Sequence, residues 1–187
     1  MMKKTVFLDR DGVINKDSPD YIKNWSEFEF IPGSTEAISR LTAAGFAVIL
    51  ITNQSGIGRG IIDPEDLTDM HIRMQEKIRE QGGEICDIFL CPHRPDENCE
   101  CRKPKPGLIR QAQKKYGIDL SYAWMVGDSA KDIECAINAG CGQQILVQTG
   151  NGTAAEKILA AKGIRPTYVE ENLLAAAERI LSQFPKS

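Results

Sequence analysis

Short apolar runs that alternate with stretches of helical spacing constrain this chain more than any other feature. Thr5-Val6-Phe7-Leu8 has the pattern of a buried strand, halted by Asp9-Arg10-Asp11-Gly12. Pro32-Gly33-Ser34 opens a helix whose apolar positions Ala37, Ile38 and Leu41 share one face, and Gly45 stops it ahead of a second strand over 46–51. Asp63 before Pro64 is an N-cap followed by proline at the first helical position, and Leu67, Met70, Met74 and Ile78 line one face as far as Gly82-Gly83. The same rhythm predicts strands over 85–90, 123–126, 145–147 and 167–169, and helices over 108–116, 131–139, 154–161 and 173–181, with Gly117 and Gly140 as C-terminal stops. Strands in alternation with helices imply an α/β protein. A central parallel sheet is covered on both faces, a three-layer α/β/α sandwich whose ligands bind at the carboxyl ends of the strands.

At roughly 100–200 residues per domain, the 187 residues make one domain, 1–187, and no repeat or linker interrupts them. Hydrophobic residues at 42% and charged residues at 26% are ordinary globular composition and exclude disordered or collagen-like structure. The net charge of −3, with no long block of either sign, advertises neither a nucleic-acid nor a membrane surface. The longest apolar run, 46–51, is far short of the ~20 residues a bilayer span needs, and Met1-Met2-Lys3-Lys4 leads into a strand rather than a signal-peptide core. The expectation is a cytoplasmic protein. No amphipathic helix is surplus to the core, so a monomer is expected. In a reducing compartment the cysteines divide into a cluster, Cys91, Cys99 and Cys101 around His93, and three buried thiols, Cys86, Cys135 and Cys141.

The polar groups that carry chemistry fall at successive strand ends. Asp9 and Asp11 follow the first strand, Thr52-Asn53-Gln54-Ser55 the second, and Gly127-Asp128 the fourth, with Asp132 one helical turn later. Arg102-Lys103-Pro104 supplies cations that can reach the same sheet edge. Acids for a divalent metal, a hydroxyl and a lysine around one point are what phosphoryl transfer requires, because the anionic phosphate must be neutralised before a carboxylate approaches it. Cys91-Pro92-His93 and Cys99-Glu100-Cys101 offer three thiolates and one imidazole, a complete tetrahedral shell for Zn²⁺ with no open position. Such a site is structural, and it pins the loop 91–101 just ahead of Lys103.

The motifs D-R-D-G-V, T-N-Q-S, R-K-P and G-D-x-x-x-D, in this order over residues 5 to about 150, resemble those of the haloacid dehalogenase superfamily of aspartyl phosphatases. The resemblance implies that superfamily's Rossmann-like fold and makes Asp9 the nucleophile that forms an aspartyl-phosphate, with Asp11 as general acid and then base. It further implies that Asp9, the Asp11 backbone carbonyl and Asp128 hold Mg²⁺, that Thr52 and Lys103 grip the phosphoryl oxygens, and that Asp132 orients its neighbours. The segments C-P-H, C-x-C-R-K-P and T-N-Q-S-G-I-G-R-G narrow the resemblance to zinc-bearing sugar-bisphosphate phosphatases and the related histidinol-phosphatases. Gln54-Ser55-Gly56 and the segment Trp25 to Gly33 are similar to the sugar enzymes. The short spacer from His93 to Cys99 is similar to the histidinol enzymes, and Ser129 stands where some sugar enzymes carry lysine.

The stretches between Asp9, Thr52 and Lys103 are already filled by strands and helices, so no separate cap domain fits. The loop from Asn15 to Tyr21 then walls the substrate, and the resemblance places Asp17 and Tyr21 against a phosphorylated sugar. Arg59 and Arg102 are candidates for a second phosphate, which guanidinium forks suit. The glycines at 56, 58 and 60 lack dinucleotide spacing and read as a flexible loop, and His71 reads as structural. One alternative comes from another class: phosphoacceptor receiver domains also gather acids, Thr and Lys around Mg²⁺, but they lack an acid two residues after the phosphorylated Asp.

Overall fold

The structure, a computed structural model, describes residues 4–184, so the lead-in Met1-Met2-Lys3 lies outside the described residues. Its regular elements are β1 (Thr5–Leu8), α1 (Ser34–Ala43), β2 (Ala47–Asn53), α2 (Ser55–Gly58), α3 (Pro64–Glu80), β3 (Asp87–Cys91), α4 (Gly107–Tyr116), β4 (Trp124–Gly127), α5 (Ala130–Ala139), β5 (Gln143–Val147), α6 (Gly152–Ala161), β6 (Tyr168–Glu170) and α7 (Leu173–Ser182). The strands form one six-stranded parallel sheet in the order β3-β2-β1-β4-β5-β6. The chain winds outward from β1 to β3 and returns to β4 beside β1. That reversal opens a crevice at the carboxyl ends of β1 and β4.

Side-chain alternation divides the core between the two faces. Val6 and Leu8 of β1 pack with Val48, Leu50, Val126 and Ile145 under α1, α3 and α7, where Ala37, Ile38, Met74, Ile78 and Ala177 meet them. Phe7 points the other way and joins Ile49, Ile51 and Met125 under α4 and α5. Leu146 extends that second face to Ala155 and Leu159 of α6. The central strands are buried on both sides, so their unbroken apolar runs are a consequence of parallel pairing with helices on each face. Complete burial of a side chain such as Phe7 is worth roughly 1.5–3 kcal/mol.

Helix ends follow the sequence signals closely. The Asp63 carboxylate accepts the Glu65 N–H at 2.8 Å with Pro64 behind it, and Gly117 and Gly140 close α4 and α5 in the left-handed conformation. Three expectations need correction. The third strand begins at Asp87 rather than at residue 85, because its register against β2 pairs Asp87 with Ile49 and Cys91 with Asn53. Residues Ser55–Gly58 form a one-turn helix where a flexible loop was expected; Gly58 N–H donates to Pro92 O at 3.0 Å and ties that turn to the cysteine loop. Cys86, expected among the buried thiols, is exposed, since it precedes β3 at the open edge of the sheet, whereas Cys135 and Cys141 are buried. Among the described residues no helix is long and apolar enough to cross a membrane.

Candidate active site

The end of β1 turns sharply into the crevice. Asp9 N–H still bonds to Val126 O at 3.0 Å, and the Arg10 carbonyl then collects the amides of Val13, Ile14 and Asn15. Gly12 holds φ +81°, and a Cβ there would stand 2.1 Å from Asp128 Oδ2; one on Gly150 would stand 2.2 Å from the same atom. Two glycines, from the loops after β1 and β5, thus let the backbone close around the Asp128 carboxylate.

Lys103 is the pivot of the site. It is 2% exposed, and its Nζ lies 2.9 Å from Asp9 Oδ1 and 2.6 Å from Asp132 Oδ1 while it donates to Ile51 O at 2.8 Å. Asn53, at the tip of β2, grips the Lys103 backbone from both sides, Oδ1 accepting its N–H at 3.1 Å and Nδ2 donating to its carbonyl at 3.3 Å. Asp132 is fixed as part of a capping box, with Oδ2 accepting Ser129 N–H at 3.0 Å and Ser129 Oγ–H at 2.7 Å. Ser129, where a basic residue was weighed, is therefore the N-cap of α5. Asp9 Oδ1 also takes the Arg10 N–H at 2.7 Å.

Carboxylates from Asp9, Asp128 and Asp132 offer oxygen atoms within 4.8 Å of one another. Fully ionised, three carboxylates against the one Lys103 ammonium would leave an excess of two negative charges in a largely dry site. That crowding favours protonation of the carboxyls. Burial, then Asp132, push the Asp9 carboxyl well above its ordinary range despite Lys103, and burial with Asp132 raises Asp128 to about 7. Lys103 is held protonated above its usual value because the two carboxylates outweigh its burial. A hard divalent cation bound by oxygen, such as Mg²⁺, matches both the donor set and the missing charge.

Asp11 stands in the opposite electrostatic setting. Arg10, fully buried, reaches it with Nε at 3.1 Å and Nη2 at 2.9 and 3.0 Å, and Asn15 Nδ2 at 2.8 Å and Gln54 Nε2 at 2.9 Å complete its ring of donors. Burial pushes the Asp11 carboxyl up, but Arg10 and these hydrogen bonds outweigh it and hold it below the usual range. Arg10 Nη1 meets His71 Nε2 at 3.2 Å, and since guanidinium only donates, that imidazole nitrogen accepts. Burial and Arg10 keep His71 neutral, with its pKa down at about 3.

The cysteine cluster lies at the end of β3. Cys91, His93, Cys99 and Cys101 present ligand atoms within 4.8 Å of one another. Their sulfur separations are 3.5 Å (Cys91 to Cys99) and 3.4 Å (Cys99 to Cys101), and His93 Nδ1 is 3.2 Å from Cys101 and 3.6 Å from Cys91. These are too long for disulfides and near the roughly 3.7 Å edge of a tetrahedron built on Zn–S bonds of about 2.3 Å. Cys99 is drawn down to about 7 while Cys101 is driven up to about 12: burial, opposed at Cys99 by hydrogen bonds and aided at Cys101 by its neighbouring thiols, separates them. The donor set suits zinc.

A cavity of about 570 Å³ opens over the oxygen cluster, and its wall includes Asp9, Asp11, Asp17, Tyr21, Asn53, Gln54, Arg102, Lys103 and Asp128. Thr52 and Ser55 stand behind that wall: Thr52 is buried with Oγ1 accepting from Gln54 Nε2 at 2.9 Å, and Ser55 Oγ is 3.4 Å from the Tyr21 hydroxyl. Arg59 is exposed at the C-cap of α2, outside the wall, so the structure does not bring it to the other candidates. Sequence reading missed Arg10, Asn15, Lys131 and Asn151. Arg10 carried a signal, a cation between two acids at a strand end; Asn151, in a Gly-Asn-Gly turn, carried none.

Comparison with known proteins follows the same lines. A family model described as HAD-hydrolase-like matches residues 100–176. The D-glycero-β-D-manno-heptose-1,7-bisphosphate 7-phosphatase of Pseudomonas aeruginosa is 49% identical over 97% of this chain and 99% of its own length, and that of Bordetella bronchiseptica is 45% identical over 96% and 99%. The crystal structure of the B. bronchiseptica D,D-heptose 1,7-bisphosphate phosphatase, complexed with magnesium and phosphate, superposes with a TM-score of 0.90 over 96% of this chain and 99% of that one. The corresponding enzyme of Burkholderia thailandensis, at 38% identity, gives 0.73 over the same shares.

Proposed function

Since the chain belongs to the haloacid dehalogenase-like hydrolases, among the heptose 1,7-bisphosphate 7-phosphatases, we propose that it hydrolyses the C7 phosphate of D-glycero-β-D-manno-heptose 1,7-bisphosphate. The products are heptose 1-phosphate, a precursor for nucleotide-heptose and surface-glycan synthesis, and inorganic phosphate. The reading includes action in the cytoplasm as one domain and as a monomer. The observation that carries it is the pairing of Asp9 with Lys103 in a cleft whose carboxylates outnumber its one ammonium. Family membership sets aside the receiver-domain alternative.

Asp9 attacks phosphorus through a carboxylate oxygen, the bond from phosphorus to the C7 oxygen breaks, and the leaving alkoxide takes a proton from Asp11. Water then attacks the aspartyl-phosphate, Asp11 accepts its proton, and the phosphorus bond to Asp9 breaks to free phosphate. Arg10 keeps Asp11 ionised at rest, the form needed for the second step. Its acid role needs a proton taken up as the substrate dianion enters and opposes Arg10. Lys103 and Thr52 hold phosphoryl oxygens, and the Thr52 hydroxyl oxygen also accepts from Gln54 and so steadies the face of Asp11. Mg²⁺, held by Asp9, the Asp11 carbonyl and Asp128, supplies charge neutralisation when bound. Zn²⁺ on Cys91, His93, Cys99 and Cys101 fixes the loop that delivers Arg102 and Lys103. Asp17 and Tyr21 face the sugar, and Arg102 takes the C1 phosphate.

Phosphate release from the heptose bisphosphate, measured beside histidinol phosphate with Mg²⁺ present, tests the reading. Faster turnover of the heptose is expected; faster turnover of histidinol phosphate overturns the substrate and leaves the mechanism.

A further inference from the structure

The turn between β5 and α6 carries a residue to which the proposed function gives no task. Asn151 donates its backbone N–H to Asp128 Oδ2 at 2.8 Å, and its side-chain Nδ2 lies 3.3 Å from that oxygen and 2.9 Å from Asp17 Oδ2. An amide nitrogen has two hydrogens, one for each acceptor. Asp17 in turn takes the Ser18 N–H on Oδ1 at 2.8 Å, so its carboxylate holds its own loop with one oxygen and Asn151 with the other. Asn151, Asp17 and Ser18 also form the partition between the reaction cavity and a second cavity lined by Ile31 and Pro32. One side chain therefore joins a carboxylate of the metal set to the loop that walls the substrate.

The charges explain why the join is sensitive to a cation. Asp17 and Asp128 are like charges that share one amide, and the field of Asp17 reaches Asp128. A cation on Asp128 removes that repulsion and leaves Oδ2 to hold Asn151. We infer that Asn151 is a positioning residue that couples Asp128 to the loop 16–21, so that magnesium loading and ordering of that loop favour each other. Linkage makes the effect reciprocal: whatever orders the loop tightens the metal. The inference rests on the proposed function for the loop's contact with sugar, but the coupling itself needs no substrate.

Hydrogen exchange of the backbone amides in 16–21, measured on the full chain with and without Mg²⁺ alone, tests it, with Mg²⁺ binding followed by calorimetry. In the wild type, saturating Mg²⁺ slows exchange in this segment by about fivefold or more. Asn151→Ala and Asp17→Ala, at Mg²⁺ saturation shown by calorimetry, lose that protection. Asp17→Asn, whose amide oxygen still accepts from Asn151 but which carries no charge to oppose Asp128, exchanges slowly in this segment both with and without Mg²⁺. Wild-type protection in Asn151→Ala, or absence of any Mg²⁺ effect in the wild type, overturns the inference. Failure of the heptose bisphosphate to turn over while the protection pattern holds overturns the proposed substrate and leaves the coupling standing.

Discussion

Two clusters at the carboxyl edge of the sheet lie almost side by side in sequence, Cys101 closing one and Lys103 anchoring the other, yet they solve opposite problems. The cluster of Cys91, His93, Cys99 and Cys101 presents four ligand atoms, and on the proposed reading zinc fills it with no free position and its task ends with fixing a loop. The oxygen cluster is deliberately incomplete: its carboxylates outnumber its one ammonium, and Asp9 remains 14% exposed to the cavity while Lys103 and Asp132 are sealed. Charge left unbalanced beneath an open cavity is the signature of a site that must accept something. Four donors that leave no open position mark a site that must only hold.

The largest effect that separates the two is expected from Asp9→Asn. Phosphate release should fall on the order of 10⁴-fold or more, with the circular dichroism and the zinc content of the wild type. Asp11→Asn should follow with a loss of roughly 10²–10⁴-fold in kcat, again without change in zinc. Cys99→Ser tests the other cluster: zinc measured by elemental analysis should drop towards zero, the melting temperature should fall, and the rate should decline by roughly 10–100-fold because Lys103 loses its anchored loop. A Cys99→Ser protein with full rate would separate the two clusters functionally.

The smallest effect concerns the support behind the oxygen cluster. His71 is neutral with a pKa of about 3 in the fold, against about 6.5 unfolded. The unfolded chain therefore binds the extra proton between those values, and stability is lost as pH falls below about 6.5, by at most about 1.4 kcal/mol per pH unit from this group. The raised carboxyls of Asp9 and Asp128 act in the opposite sense over the same range, so the His71 share is read as a difference: in His71→Gln, whose amide oxygen can still accept from Arg10, the urea midpoint at pH 5 should rise relative to that at pH 7 when compared with the wild type.

The parts of this molecule that were legible in sequence are those where one local rule decides. Asp63-Pro64 wrote the start of α3, and the apolar runs of β1 and β2 wrote the parallel core. Asp9, Lys103 and Asp128 were legible because strand ends converge by topology, and the cysteines because ligand spacing is short. What could not be read depended on pairing across the fold. The start of β3 was set by its register with β2, the exposure of Cys86 by its place at a sheet edge, and the isolation of Arg59 by how α2 turns against Pro92. Asn53 was legible as a polar strand end on the cavity wall; that its side chain also clasps the Lys103 backbone was not, because the contact joins residues far apart in the chain. Arg10 and His71 likewise meet only in three dimensions.

The central claim is that one oxygen of Asp9 bonds transiently to phosphorus. A crystal structure of the protein with Mg²⁺ and beryllium fluoride tests it most directly. The account predicts a tetrahedral fluoroberyllate bonded to the Asp9 carboxylate, with Lys103 against its fluorines; the adduct on any other side chain would contradict it.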